Sequence, residues 1–286
     1  MALPKRIKLL VFLLLWPLFS GCVPSALHQV SDSIASGILD QSDVIIVREG
    51  LPAYLLMTDG LIEKNPDDIG LLVSGAKLYA FFASEMVKDD TRRRNLTEKA
   101  RSYAQRALCL KEPKLCNIDT LAYDVFTPAL QPVDQDTLNE LYTYGLTWAA
   151  WLQARSRDWN AIADQPKIEA IFERVLKLDE SMDFGRAHYY LGLLRSQLSP
   201  ALGGEPEAGK NHFERAIELS KGKDLAVKVA LARDYARMIY DRSLHDRLLH
   251  EVLQANPNVS GLTLSNTMAQ LEAQRLLDES NSYFQE

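Results

Sequence analysis

Apolar residues recur at steps of three and four along most of this chain, a spacing that places them on one face of an α-helix. The pattern begins near Asp43 and continues almost to the C-terminus, without the strict alternation and turn dipeptides that strands would need. We therefore predict an all-α protein. The clearest apolar faces lie at 71–82, 141–152, 187–198 and 227–239, and a last helix is predicted over 264–283.

Five of the predicted helices have similar C-terminal endings. Each ending has two apolar residues followed by a polar stop, often with Pro or Gly just beyond, and this is the chemistry that terminates helices. Their spacing along the chain is irregular, so they indicate a stretched internal repeat. The five endings lie at 61–66, 107–111, 175–179, 216–220 and 252–257.

These endings resemble the second helix of a tetratricopeptide repeat. In the clearest unit, Leu191-Gly192 resembles the paired residues of the repeat's first helix, and Phe213 and Ala216 resemble those of its second helix. The small residues would let the two helices approach closely, although the segment 199–206 makes the interval longer than usual. The resemblance implies a tetratricopeptide-like helical repeat superhelix, an α-solenoid with stretched and atypical repeats.

The N-terminal stretch has a basic start, a short apolar run and small residues before a cysteine, the order found in secretory leaders. Leu18-Phe19-Ser20-Gly21-Cys22 resembles the bacterial lipobox, in which the cysteine becomes the first mature residue and carries the lipid. Val23 follows, and the resemblance then favours the outer membrane. The alternative is a transmembrane anchor, but the apolar run is shorter than the ~20 residues that span a bilayer. We predict a signal peptide over 1–21, a lipidated tether over 22–42 and a helical repeat domain over 43–286.

The composition of the 286-residue chain is ordinary for a globular protein, at 47% hydrophobic and 24% charged residues. Removing the three basic leader residues from the total of 32 leaves 29 against 38 acidic residues, a net charge near −9. Such an acidic body is a poor nucleic-acid binder and a poor electrostatic partner for anionic lipid. Membrane attachment would therefore come from acyl chains such as palmitate. No cofactor is indicated.

The two cysteines of the body, Cys109 and Cys116, lie across a predicted helix end and a Pro-containing turn. The periplasm permits disulfides, and the turn could bring the two Cα atoms within about 6 Å. We predict a disulfide, with two free thiols as the alternative, because the spacing is not that of a metal or redox pair. His245 and His250 do not share a helix face, which argues against zinc.

The leader, the stretched repeats and the segment 185–220 together resemble one family. The most specific piece is the Pro-x-Leu-Gly-Gly turn at 200–204, followed by Phe-Glu-Arg-Ala at 213–216. The chain is similar to the tetratricopeptide lipoprotein of tripartite ATP-independent periplasmic (TRAP) transporters, the T component. The resemblance implies a homotrimer in the periplasm that docks a periplasmic solute-binding protein. It also implies a channel for a small hydrophobic or organic-acid ligand, and it does not imply an enzyme.

Aromatic residues and one glycine-containing loop are the candidate binding residues. Three aromatic residues fall on one side of the helix at 141–152 and could line an apolar groove, with inter-helix core as the alternative. The same two interpretations apply to the aromatic residues near Tyr79. Of two adjacent tyrosines in the clearest repeat, one could face the concave surface. The candidate ligand- or partner-binding residues are Tyr79, Tyr144, Trp148, Trp151, Tyr189, Tyr190, Gly203 and Gly204.

Two other functions share some of these features. A tetratricopeptide lipoprotein that scaffolds outer-membrane or envelope assembly would carry the same leader and helices. An enzyme acting on envelope polymers would need carboxylates that converge in space. The sequence contains no nucleophile elbow, phosphate-binding glycine loop or convincing acid–base pair, so it offers no positive reason to propose an enzyme.

Overall fold

The computed structural model describes residues 36–285. The predicted signal peptide over 1–21 and the predicted lipid site at Cys22 lie outside the described residues, as does most of the predicted tether over 22–42. Residues 39–286 form one compact unit. Every regular element in its described part is helical, so the predicted all-α class is confirmed. The superhelical arrangement of repeats stays a prediction.

The first three helices are α1 (Val44–Lys64), α2 (Ile69–Phe81) and α3 (Asp90–Lys111). Asp43 caps α1, because its Oδ1 accepts hydrogen bonds from the backbone N–H groups of the first turn at 2.9 and 3.2 Å. Helix α2 packs against both α1 and α3. At its C-terminal end α2 widens into a π-helical turn, Phe82–Met86, which we call the first π-turn.

The middle of the chain is built around α5, which packs against α2, α3 and the seventh helix and has most of its residues buried. Short 3₁₀ turns and a two-turn helix connect α3 to α5. The elements of this part are α4 (Tyr123–Ala129), α5 (Leu138–Gln153), α6 (Trp159–Ile162) and α7 (Gln165–Leu178).

The last part of the chain contains six helices and a second π-helical turn. Within this part, α8 packs against α9, and α11 packs against α12. The elements are α8 (Met182–Arg195), α9 (Pro206–Leu219), α10 (Leu225–Ala230), the second π-turn (Leu231–Ala236), α11 (Arg242–Gln254), α12 (Thr263–Asp278) and α13 (Ser280–Phe284).

All five predicted endings close a helix, namely α1, α3, α7, α9 and α11. After α9 the chain passes through Gly222 at φ +70°, and the Gly222 N–H donates to the carbonyl of Ile217 at 2.8 Å. This left-handed glycine just past the helix satisfies a carbonyl that the helix leaves open. The polar stops and glycines of the sequence therefore act as helix terminators.

The close approach predicted for the α8–α9 pair is present. A Cβ atom built on Gly192 of α8 would lie 2.6 Å from Cδ1 of Phe213 on α9. Since real Cβ atoms do not approach another atom that closely, only glycine allows the fully buried Phe213 ring to sit against the α8 backbone.

Two details differ from the predicted elements. The helix expected over 264–283 is interrupted at Glu279, between α12 and α13. Ile239, expected on a buried face, is 43% exposed. The second π-turn changes which side of the helix the residues after it, including Ile239, occupy. The chain then turns at Tyr240, which has a left-handed conformation with φ +60°.

The buried apolar residues form two clusters. The first centres on α5 and α7, and the second on α10, the second π-turn, α11 and α12. One described stretch, Ile69–Met86, is long and apolar enough to cross a membrane, but 56% of it is buried within the protein. That burial is typical of a core helix, and the stretch indeed packs against α1, α3 and α5.

Candidate functional site

Two of the α5 aromatic candidates lie in the core. Tyr144 and Trp148 have no exposed surface, and their ring centroids are 5.2 Å apart. Phe126 of α4 packs edge-on against Trp148 at 6.1 Å. The third candidate, Trp151, is half-buried, and its Nε1 donates to Glu98 Oε2 at 2.6 Å. Only Trp151 of these three therefore has ring surface that a ligand or partner can reach.

Tyr79 belongs to a closed hydrogen-bond network around Asp59. The Tyr79 hydroxyl donates to Asp59 Oδ2 at 2.7 Å, and the Tyr103 hydroxyl donates to Oδ1 at 2.8 Å. Lys99 completes the network with an ion pair to the same carboxylate. Burial alone would raise the pKa of Asp59, but these three donors hold it below its usual value. The network joins α1, α2 and α3 and leaves the Asp59 carboxylate fully engaged.

The two adjacent tyrosines of α8 stand at the seam between the two apolar clusters. Tyr190 packs against the first cluster and Tyr189 against the second. Their ring centroids are 5.3 Å apart, and Tyr190 also stacks on Phe172 at 5.0 Å. Both side chains remain partly exposed, yet burial raises the pKa of each hydroxyl. Water reaches these rings, although protein surrounds them on most sides.

Five charged residues interact around these tyrosines, and we call them the inner cluster: Lys77, Glu85, Asp183, Arg186 and Arg233. They come from α2, the first π-turn, α8 and the second π-turn. Arg233 and Arg186 both act on the Glu85 carboxylate, and Asp183 acts on the Lys77 ammonium. The charges of the cluster thus come from both halves of the described chain.

Three irregular stretches of backbone carry most of the residues of this cluster. Glu85 comes from the first π-turn and Arg233 from the second, and π-turns are rare and frequently found at functional sites. Arg186 follows three consecutive left-handed residues, Asp183, Phe184 and Gly185, with φ of +49°, +60° and +79°. The left-handed conformation costs a non-glycine residue about 1–2 kcal/mol. The fold therefore accepts local strain at the place where these charges meet.

Both arginines of the inner cluster already have an acidic partner. Arg186 Nε donates to Asp224 Oδ2 at 2.7 Å, and its terminal nitrogen donates to Ser265 Oγ at 3.0 Å. Arg233 makes a two-point contact with Asp234 at 2.8 and 2.7 Å. Asp224 is 1% exposed, so Arg186 neutralises a buried carboxylate.

Glu85 has an unusual combination of exposure and surroundings. Its side chain is exposed to water, yet desolvation raises its pKa against the opposing effects of Arg233 and Arg186. Glu85 is therefore accessible to water, in surroundings that disfavour its charged form.

A separate polar chain lies on the α8–α9 hairpin. Arg215 holds Glu180 in a two-point contact, Glu180 Oε1 lies 3.0 Å from His188 Nε2, and His188 Nδ1 lies 2.7 Å from His212 Nδ1. Burial and the neighbouring His188 lower the pKa of His212 to about 4. Hydrogen bonds from Arg215 and His188 lower the pKa of Glu180 to about 2. At neutral pH this chain therefore contains an ionised carboxylate and a neutral His212.

The glycine loop is packed on its own backbone. Gly203 has φ +87°, and a Cβ on Gly204 would lie 1.8 Å from the carbonyl oxygen of Leu198. The Gly204 N–H donates to Ser199 O at 3.1 Å, and the next N–H donates to Arg195 O at 3.0 Å. Both glycines therefore have a structural reason to be present, whatever else the loop contacts.

Cys109 and Cys116 form a disulfide, with a Cα–Cα distance of 4.5 Å. The bond joins the last turn of α3 to the end of the 3₁₀ turn Pro113–Leu115. Within the part of the chain that the structure describes, no group of three or more His, Cys, Asp or Glu side chains could hold a metal ion.

The sequence pattern indicates Tyr189 and Tyr190 but not the charged residues around them. Glu85 and Arg233 are far apart along the chain, and each looks like an ordinary polar position of an amphipathic helix. No local motif marks a π-turn or the left-handed turn before Arg186, so no sequence signal brought these residues together.

The fold and this site define an all-helical protein whose candidate site is suited to binding. Arg186, Arg233 and Asp183 are engaged with Asp224, Asp234 and Tyr142. A model of the TRAP transporter T-component family matches residues 40–284, so the chain belongs to that family. This is a transport-associated accessory family rather than an enzyme family. A search of curated proteins found no match.

Proposed function

We propose that the protein is a lipid-anchored, tetratricopeptide-like component of a TRAP-type uptake system. In this role it binds the periplasmic solute-binding protein and assists transport of a small hydrophobic or organic-acid ligand. The observation that carries the proposal is the match to the T-component family over 40–284. The paired helices α8–α9 and α11–α12 are the kind of element on which helical-repeat proteins build binding surfaces, and they support this role.

The proposal includes an anchor and an assembly. Cys22 carries the acyl chains and holds the protein at the outer membrane, with its body in the periplasm, and three copies associate. Labelling cells with an alkyne analogue of palmitate should label the wild type but not Cys22→Ala. Sedimentation of the detergent-extracted mature protein should give the mass of three chains, and a monomer would contradict the trimer.

Crosslinking in the native periplasm tests the partner. Mature protein that carries a photo-crosslinker in place of Ala201, beside Gly203 and Gly204, should capture a solute-binding protein, which mass spectrometry identifies. The matched control carries the same crosslinker in place of Lys111, the exposed last residue of α3, far from 200–204 along the chain. Capture of outer-membrane assembly factors in place of a solute-binding protein would contradict the proposed transport role.

A further inference from the structure

Helix α1 is apolar on two opposite sides. Its inner side packs on α2, and the buried residues of that side are Val47, Leu51, Leu55, Thr58 and Ile62. Its other side is exposed, and we call it the outer face: Ile45, Ile46, Glu49, Gly50, Ala53, Leu56, Met57, Gly60, Glu63 and Lys64. These positions recur at steps of three, four and seven, so they share one face of the helix.

The outer face exposes much apolar surface. The exposed fractions are 56% for Ile45, 58% for Ile46, 72% for Leu56 and 46% for Met57. Before the last turn of α1, the outer face contains one charged residue, Glu49. Because a helix that is apolar on both sides is typical of a buried helix, this pattern indicates that another molecule covers the outer face.

Two glycines of the outer face indicate that the covering element is a helix. A Cβ built on Gly50 or Gly60 would meet nothing within 4 Å, so the packing of a single chain does not require glycine at either position. In α2 and α5, by contrast, a Cβ on Gly75 or Gly145 would lie 2.9 or 2.8 Å from a neighbouring side chain. Glycine weakens a helix interior relative to alanine, and it allows another backbone to approach closely. A lipid surface would not need that approach.

The outer face has two edges whose residues match in a parallel pair of α1 helices. The first edge consists of Ile45, Glu49, Leu56 and Glu63, and the second edge consists of Ile46, Gly50, Met57 and Lys64. Each first-edge residue directly precedes a second-edge residue, so the two lie at nearly the same level along the helix axis. When the first edge of one chain packs on the second edge of a parallel copy, apolar side chains meet at two levels, and Glu49 meets the open space beside a glycine.

The charges in the last turn of α1 are complementary in the same arrangement. Glu63 of one copy lies at the level of Lys64 of the next copy. Both side chains are exposed, and neither forms an ion pair with another described residue of its own chain. A parallel arrangement also suits the proposed lipid anchor, because it places the N-terminal ends of all the α1 helices on one side of the assembly.

We propose that copies of this chain associate through the outer face of α1, in parallel and in register, with the first edge of one copy on the second edge of the next. Ala53 and Gly60 lie between the two edges, where their small size lets the helices approach closely. A contact between two different edges closes into a ring when the rotation between copies allows it. The inference rests on the three-chain assembly of the proposed function and names the surface that forms it.

Cysteine crosslinking of the mature lipoprotein in detergent tests the contact and its direction. Ala53→Cys, in the middle of the outer face, and Ile46→Cys, near its start, should each give covalent pairs with a bismaleimide. Glu214→Cys, at an exposed position of α9, is the control and should give none. Pairs through Ala53→Cys alone would show an antiparallel contact, and either that result or no pairs at all would overturn the inference.

Two leucines of similar exposure provide a matched pair of variants. Leu56 is 72% exposed on the outer face, and Leu271 is 61% exposed on α12, so neither substitution threatens folding of the single chain. Leu56→Glu should raise the dissociation constant of the assembly at least about tenfold, because it brings like charges into the contact. Leu271→Glu should leave that constant unchanged. Sedimentation measures both, and a Leu56→Glu variant that assembles like the wild type would overturn the inference.

Gly50→Leu separates association from folding. The single chain has room for a side chain at Gly50, and leucine favours a helix more than glycine does. The melting temperature of the dissociated chain should therefore equal or exceed that of the wild type, while the assembly dissociates about tenfold more readily. Unchanged assembly would show that no helix approaches the outer face, and the inference would be wrong.

A photo-crosslinker in place of Leu56 identifies what covers the outer face in the native periplasm. We expect capture of a second copy, whereas capture of a solute-binding protein or of phospholipid in its place would overturn the inference. The outcome is separable from that of the proposed function. A three-chain mass that survives Leu56→Glu would keep the assembly and remove the inference, and the crosslinker at Ala201 tests the transport role independently of both.

Discussion

Two groups of aromatic residues look alike in the sequence and differ in the structure. Tyr144 and Trp148 on α5 lie within the first apolar cluster with no exposed surface. Tyr189 and Tyr190 on α8 lie at the seam of the two clusters, partly exposed and close to the charges of the inner cluster. The spacing of aromatic residues along a helix therefore does not distinguish core residues from partly exposed ones. The charged residues that other elements place nearby do distinguish them.

The polar atoms of the two groups sharpen this contrast. Neither the Tyr144 hydroxyl nor Trp148 Nε1 has a hydrogen-bond partner among the described residues, so these rings act through burial. The charges of Arg186, Asp183 and Glu85 influence the pKa of the Tyr190 hydroxyl. The α5 aromatic residues should therefore contribute mainly to stability, and the α8 tyrosines mainly to binding.

The largest expected effect is on the α5 side of the comparison. Trp148→Ala should lower the free energy of unfolding by about 3–5 kcal/mol, because it leaves a cavity that the surrounding helices cannot fill. Tyr189→Ala should cost less than half as much, since its ring is already partly exposed. Urea unfolding followed by circular dichroism measures both. Equal losses would show that the seam is as much a part of the core as α5 is.

The next effect concerns the contact between α8 and α9. Gly192→Ala should destabilise the protein by about 1–3 kcal/mol, because the new Cβ would overlap the buried Phe213 ring. Gly60→Ala is the matched control, since a Cβ there meets nothing within 4 Å in the middle of α1. That control should gain up to about 1 kcal/mol from helix propensity. A neutral Gly192→Ala would mean that α8 and α9 can separate at little cost, and α8 would then be a less rigid platform for its tyrosines.

Much of the fold could be predicted from the sequence because it depends on local signals. Asp43 caps α1, all five predicted helix endings are present, and Gly192 meets Phe213 as the repeat resemblance implied. Each of these depends on residues that are adjacent in sequence or lie on consecutive helices. Periodicity and terminator chemistry are sufficient for them.

Much of the candidate site could not be predicted, for a physical reason. The first π-turn interrupts a regular apolar pattern, and no residue type in that segment indicates that a π-turn forms there. Phe184 adopts a left-handed conformation that its residue type disfavours, beside Asp183 and Gly185 in the same conformation. The charges of Glu85 and Arg233 come from the two π-turns. The tyrosines were visible in the sequence, but the charges that distinguish them from core residues were not.

A smaller effect tests His212 of α9, whose ring lies against His188 of α8. The pKa of His212 in the fold, about 4, is below its ordinary value of 6.5. Its contribution to stability is therefore present above pH 6.5 and is lost as the pH falls from 6.5 towards 4, because the unfolded chain takes up the proton first. His212→Asn keeps an acceptor at the position of Nδ1 and cannot titrate.

Between pH 7 and pH 5 the melting temperature should therefore fall less in His212→Asn than in the wild type. The corresponding change in unfolding free energy is below about 1 kcal/mol, since His212 is only half-buried. His250→Asn, at an exposed position of α11, is the control and should follow the wild-type curve. A variant curve parallel to the wild type would show that the His188–His212 contact does not contribute to the acid sensitivity.

The smallest effect is expected at Glu85, an exposed residue of the first π-turn. Desolvation raises the pKa of Glu85 in the fold above its ordinary value of 4.5, despite Arg233 and Arg186. The folded state therefore disfavours the charged form, and stability is lost as the pH rises through the folded pKa. Glu85→Gln should raise the unfolding free energy at pH 7 by no more than about 0.5 kcal/mol, because the side chain is exposed. The gain should vanish near pH 4, where the wild-type carboxyl is protonated. A loss of stability at pH 7 would instead assign Glu85 a structural role and bring the α8 seam closer to the α5 core.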